Sequence, residues 1–190
     1  MFALIAVAGI AGLDGRIAGL TAELPQKDTI WGAGTEILDM LALKNISNFL
    51  LGPVLLLLAA GLLILRSTRS FGWGILYVGL VQFTSTVVAD LLKPQLGRLR
   101  PFEAMASPGA ADIWFVGANS FPSGHTAFFA GLFFPLMLLF PRWTPVLALP
   151  PLFIAAARLL SHDHYLSDVS ASLAIAAAIA SGLAIVLNRR

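Results

Sequence analysis

The sequence predicts an all-α, polytopic integral membrane protein: a helix bundle with about six transmembrane helices. Three observations carry this. Of the 190 residues, 58% are hydrophobic and 12% are charged, whereas a soluble domain is nearer half apolar and a quarter charged. The mean hydropathy is +0.86. Apolar runs approaching the ~20 residues that cross a bilayer recur along the chain, with charges gathered at their ends. The length suits a single domain, residues 1–190.

The spans follow in order. Residues 2–13 are apolar but short, and Asp14 and Arg16 interrupt any extension toward Leu20; they count as the first and weakest span. A cleavable signal peptide fits poorly, since Met1 to Leu13 has no basic n-region. Residues 46–65 carry no charge, residues 71–92 hold only Asp90 near their far end, and residues 123–140 follow a Pro-Ser-Gly start. Residues 143–160 contain Pro145, Pro150 and Pro151, which kink a span without ending it, and residues 166–187 form the last. Trp31, Trp73, Trp114 and Trp143 fall near span ends, as interfacial tryptophans do.

Orientation follows from the short loops. Arg66 and Arg69, then Arg142, then Arg189 and Arg190 fall on one side if the spans alternate. Cytoplasmic loops collect Lys and Arg, so that side and both termini are expected in the cytoplasm. The opposite side carries residues 14–45, with an amphipathic surface helix expected around Ile30 to Leu43, and residues 93–122. The net charge of +2 comes without a basic tract suited to nucleic acid, and the chain has no cysteine, which excludes disulfides and thiolate metal sites.

The ionisable residues cluster on that opposite face. Lys93, Arg98 and Arg100-Pro101 follow the third span, Pro122-Ser123-Gly124-His125 opens the fourth, Arg158 closes the fifth, and His164 and Asp168 open the sixth. Charge at membrane depth is expensive and marks function. Cations and histidines converging from four helix ends suit an anionic group at the interface. Pro94 and Gly97 break the segment between Lys93 and Arg100, so both can fold over one ligand. An arginine fork matches phosphate oxygens. Ser123 suits an N-cap, Gly124 permits close backbone approach, and a helix N-terminus favours anions. His164 and Asp168, four apart, share a helix face. Asp168 can accept the Nδ1–H of His164 and leave Nε2 as a lone-pair nucleophile, the orienting role of Asp in serine-protease triads. Arg158 and His164, six apart, meet only if the chain turns at Ser161-His162-Asp163. His162 and Asp163 are read as turn residues, because two adjacent ligands fall short of a zinc site. Arg98 is read as a headgroup or lipid-phosphate contact. Asp90 either pairs with Lys93 or faces the cavity.

Together, Lys93-x6-Arg100-Pro101, Pro122-Ser123-Gly124-His125 and Arg158-x5-His164-x3-Asp168 resemble the three-part signature of the type 2 phosphatidic acid phosphatase (PAP2) superfamily, over residues 85–175. The family usually has Ser before the third-motif arginine; here it is Ala157, which removes one hydrogen bond and no charge. The resemblance implies a lipid phosphatase without cofactor or metal. His164 would attack phosphorus, His125 would protonate the leaving oxygen, and water would hydrolyse the phosphohistidine. Lys93, Arg100, Arg158 and the amides of Ser123 and Gly124 would hold the phosphoryl oxygens. Substrates implied by the resemblance are undecaprenyl pyrophosphate, phosphatidylglycerol phosphate, phosphatidic acid and lipid A phosphate, reached from the bilayer at the extracytoplasmic face of the cytoplasmic (inner) membrane. The loop from Phe102 to Ser120 is expected to help select among them. The alternatives are a lipid-to-lipid phosphotransferase of the same fold, a non-enzymatic lipid or phosphate transporter, and a vanadium haloperoxidase, which is disfavoured because those enzymes are soluble. Composition says nothing of oligomeric state.

Overall fold

The computed structural model describes residues 1–22, 30–107 and 112–188, and among them the structure is helical without strands. Arg189 and Arg190, used above for orientation, lie outside the described residues, as do residues 108–111 of the loop expected to set specificity. The helices are α1 (Phe2–Ala8), α2 (Asp14–Thr21), α3 (Ile30–Leu41), α4 (Leu51–Ile64), α5 (Arg69–Leu96), α6 (Pro101–Ala106), α7 (Gly124–Leu139), α8 (Thr144–Leu147), α9 (Leu149–Leu160) and α10 (Leu166–Asn188). Four helical stretches are long and apolar enough to cross a membrane: Phe2–Thr21, one beginning at Arg69, Pro141–Leu160 and Leu166–Leu187. Leu51–Ile64 and Gly124–Leu139 are shorter apolar helices, so six apolar segments alternate along the chain as expected.

Two expectations need correction. Asp14 does not stop the first helix. A π-helical turn over Gly9–Leu13, with Gly12 at φ 147°, kinks the chain, and α2 then runs on to Thr21. The carboxylate is tolerated because Asp14 is buried against Arg98 and the start of α10. Of the two residues expected to break the segment between Lys93 and Arg100, Pro94 does not. α5 continues through it to Leu96 and ends at Gly97, whose left-handed backbone (φ 51°) lets its N–H cap the Lys93 carbonyl. The prolines of the fifth span leave it continuous, as expected: a 3₁₀ turn at Pro141–Trp143, α8 and α9 follow one another through residues with right-handed helical backbone.

α10 lies at the centre of the bundle, packed on α1, α5, α7 and α9, while α5 also packs on α4 and α7. Small residues permit this: Ala130, Ala176 and Ala180 are fully or almost fully buried. Phe128 and Phe129 pack edge to face in a neighbouring cluster with Ala42 and Ile154. Leu4, Leu57, Ile64, Leu152 and Val186 point outward, as lipid-facing residues do. Trp73 and Trp143 are exposed near helix ends, whereas Trp31 packs on Phe153 and Trp114 on Phe121.

Candidate active site

The three motifs meet at one end of the bundle. His164 comes to Arg158 as expected, because the chain turns at Ser161 to Asp163. His162 takes a left-handed backbone (φ 55°), and the His164 N–H donates to the Arg158 carbonyl at 3.2 Å. Arg100-Pro101 begins α6 with proline in its first turn, a position that needs no N–H. Glu103 accepts the Arg100 N–H at 2.7 Å, fixing the arginine at the helix start. The Lys93 ammonium lies across the start of α7, 2.9 Å from where a Cβ on Gly124 would sit, so any side chain there would displace it.

Asp163, read from sequence as a turn residue only, joins the two arginines. Its carboxylate lies 3.4 Å from Arg100 Nη1 and 3.0 Å from Arg158 Nη1. Arg158 Nε is buried without a hydrogen-bond partner among the described residues. A buried guanidinium N–H left unpaired is costly, and an anion between the arginines would satisfy it.

His164 is 4% exposed, and its Nδ1 lies 3.4 Å from Asp168 Oδ2. At that separation the two are paired electrostatically, but the N–H is not aligned as a hydrogen bond, and Nδ1 has no such partner among the described residues. Catalytic hydrogen bonds are often long before substrate binds. Burial pushes the imidazole below its ordinary pKa, and Asp168 opposes the shift. The ring therefore stays neutral, with a lone pair available, at near-neutral pH. Asp168 is held firmly: it accepts from Arg98 Nη1 at 2.5 Å, Ser120 Oγ at 2.5 Å and the Tyr165 N–H at 2.9 Å.

Arg98 thus departs from its expected place at the lipid headgroups. It is 1% exposed, bonded to Asp168, to Ser167 Oγ at 2.6 Å and to Asp14 at 2.7 Å. The rings of Trp114 and Tyr165 lie 4.3 and 4.0 Å from its guanidinium carbon. Ser123 also departs from expectation. Its amide donates to the Asp168 carbonyl at 3.2 Å and so is committed within the protein, while its hydroxyl accepts from Thr126. Ser123 orients the start of α7, and the amides of Gly124 and His125, in the first turn of the helix, have no intrahelical partner. Asp90 is exposed and forms no ion pair with Lys93 among the described residues. His162 faces Thr21 Oγ1 at 3.1 Å, and among the described residues no group of three metal-ligating side chains converges.

His125 lies across the site from the arginines. Its Nε2 is 3.0 Å from Asp39 Oδ2 and 3.2 Å from Lys44 Nζ.

The sequence model of the PAP2 superfamily matches residues 74–190. The chain belongs to the PAP2 superfamily. A lipid A 1-phosphatase from Rhizobium etli is 32% identical over 129 residues, which span 60% of this chain and 53% of that protein. Another from Rhizobium johnstonii is 32% identical over 139 residues, 68% of this chain and 57% of that one. The chain therefore spans little more than half the length of the curated relatives it matches. The crystal structure of a transmembrane PAP2-type phosphatidylglycerolphosphate phosphatase from Bacillus subtilis aligns with a TM-score of 0.58 over 96% of this chain and 92% of that one. At 21% identity this likeness establishes a shared fold.

Several residues of this PAP2 site lie outside its sequence motifs. Asp39 and Lys44 come from the segment between the first two spans, and Asp14 comes from the kinked first span. A charged residue inside an apolar run was the visible signal for Asp14. For Asp39 and Lys44 the sequence carries no local signal, because only the packing of α3 on α9 brings them to His125.

Proposed function

We propose that this chain is a lipid phosphatase that works without a metal ion and forms a phosphohistidine at His164. What supports this most directly is the pairing of a buried, carboxylate-backed imidazole with three cations and a helix start. His164 Nε2 donates its lone pair to phosphorus as the bond to the lipid oxygen breaks, and His125 gives that oxygen a proton. Water then attacks the phosphohistidine and loses a proton to His125, so phosphate departs and His164 is neutral again. Lys93, Arg100, Arg158 and the Gly124 amide hold the phosphoryl oxygens. Electrostatic stabilisation of this kind is most of the catalytic work in phosphoryl transfer.

The substrate is a phosphate or pyrophosphate monoester of a membrane lipid. The site lies at helix ends, where a headgroup rests while its tails stay in the bilayer, and the relatives named as lipid A 1-phosphatases favour a lipid of that kind. We place the site at the extracytoplasmic face of the cytoplasmic membrane, on the strength of the arginines at 66, 69 and 142. A phosphate-release screen tests the whole reading. Right-side-out vesicles containing the protein are expected to hydrolyse an added lipid A 1-phosphate, phosphatidylglycerol phosphate, undecaprenyl pyrophosphate or phosphatidic acid without permeabilisation and in excess chelator. The same screen should show activity falling on the acid side with a midpoint below about pH 6.5, as the depressed His164 takes up a proton. Loss of activity in chelator, restored by magnesium or zinc, would sink the metal-free mechanism; activity confined to inside-out vesicles would reverse the topology.

Asp163 makes a second point testable. Its carboxylate occupies the two arginines that an incoming phosphate needs, so the two anions compete. Asp163→Asn is expected to tighten inhibition by inorganic phosphate several-fold, since one competing charge is removed while the side chain keeps its size. Unchanged or weaker phosphate inhibition would mean that Asp163 holds the arginines in place instead.

A further inference from the structure

The segment between the first two spans belongs to no PAP2 motif, yet it puts a carboxylate and an ammonium against His125. Asp39 lies in the last turn of α3, and α3 meets α9 where the tilted rings of Trp31 and Phe153 pack with centroids 5.3 Å apart. Leu43 then adopts a left-handed backbone (φ 58°), and the Lys44 N–H donates to the Asp39 carbonyl at 2.8 Å. That turn points both side chains at one ring nitrogen.

Nε2 carries either a proton or a lone pair. It cannot donate to Asp39 and accept from Lys44 at once. Lys44 already donates to Asn48 Oδ1 at 2.8 Å and lies 5.7 Å from the centroid of the Phe128 ring. Burial pushes its ammonium down to about 8, against the pull of Asp39. Asp39 has no comparable second partner: its Oδ1 is buried without a hydrogen bond among the described residues. Charged groups face His125 from every side. Asp39 comes from α3, Lys44 from the turn after it, Arg158 from α9, and Lys93 from α5 across Gly124. A protonated ring there stands among three cations and one carboxylate. His125 Nδ1 has no hydrogen-bond partner among the described residues, which leaves it for a ligand.

We propose that Asp39 is a positioning residue for His125, accepting the Nε2–H so that Nδ1–H faces the leaving oxygen, and offsetting the cations that disfavour the protonated ring. This rests on the phosphatase reading above. The site would then hold two carboxylate–imidazole pairs with opposite tasks. Asp168 backs a neutral nucleophile in a buried pocket, and Asp39 balances a charged acid at its edge. As Nδ1 gives its proton to the departing alkoxide, the ring becomes neutral and can take the proton back from the water that attacks the phosphohistidine. Asp39 keeps its charge throughout.

The test compares leaving groups. Turnover of a long-chain alkyl phosphate lipid needs a proton on the leaving oxygen, whereas a nitrophenolate leaves without one. Asp39→Asn is expected to lower kcat for the alkyl lipid about ten- to a hundred-fold, and kcat for nitrophenyl phosphate by less than about threefold, as loss of general-acid assistance does. Asp39→Glu restores the carboxylate and should recover part of the alkyl rate. In a His125→Ala background, Asp39→Asn should have no further effect on either substrate. Equal losses on both substrates, or a full additional loss in the His125→Ala background, would overturn the proposal and make Asp39 a structural residue. If Asp39→Asn does not fold, the decision passes to Asp39→Glu, for which selective loss of the alkyl rate supports the proposal and equal losses overturn it. Should the wild-type protein hydrolyse neither substrate, the phosphatase reading itself fails, which is a different result from any of these.

Discussion

His164→Ala is expected to lower phosphate release from every lipid substrate at least ~10⁴-fold, the scale on which removal of a covalent nucleophile acts. The protein should still fold, because the ring makes no well-aligned hydrogen bond at Nδ1 and its backbone N–H bond to the Arg158 carbonyl survives substitution. Substrate should still bind, since Lys93, Arg100 and Arg158 remain. Asp168→Asn should also be severe, about 10³-fold or more, by analogy with the loss of an orienting aspartate from a triad. It leaves the ring in place, but an amide neither stabilises the imidazolium nor fixes the useful tautomer. Normal phosphate release from His164→Ala would rule out the nucleophile assignment. Phosphate or lipid binding without release in the wild-type protein would instead favour a transporter.

The second large effect is on stability, and it concerns Arg98. This guanidinium lies between two aromatic rings and joins Asp14 on the first span to Asp168 on the last. Arg98→Met would keep much of the volume and leave two buried carboxylates without their common partner. Removing one member of a buried charge network costs about 3–5 kcal/mol. For a chain of this size that is on the order of 10 °C in Tm. Thermal unfolding in detergent checks it. Arg98→Lys should rescue little, because a single ammonium cannot serve both carboxylates and stack between the rings. If Arg98→Met unfolds within about 2 °C of wild type while losing lipid binding, then Arg98 meets headgroups after all, and its buried position does not represent the working protein.

Much of this was legible in the sequence because membrane-spanning chains leave few options. Six apolar runs, an amphipathic segment before Leu43 and a turn at Ser161 to Asp163 could be read directly, since lipid demands helices and since Arg158 and His164 could meet in no other way. The motif residues were legible by type and spacing. What could not be read was how charges share partners. Arg98 and Arg100 are two residues apart and chemically identical, yet one is buried against Asp14 and Asp168 while the other stands beside Asp163 at the mouth of the site. Only the packing of the kinked first span, which brings Asp14 to α10, separates their roles. Pro94 misled for a related reason. A proline removes one hydrogen bond, but α7 packs on α5, with Gly124 against Lys93 beside the proline, and the helix runs on to Leu96.

The central claim is the covalent intermediate at His164, and one measurement addresses it most directly. Protein mixed with a ³²P-labelled lipid phosphate is stopped in alkali within the first turnovers, and the label bound to protein is located by mass spectrometry of the peptide spanning Arg158 to Asp168. A phosphoramidate is stable in alkali and labile in acid. The account predicts label on His164 that survives alkali, disappears in acid and is absent from His164→Ala. Label on another residue, or wild-type turnover at full rate with no labelled protein at any time, would contradict it.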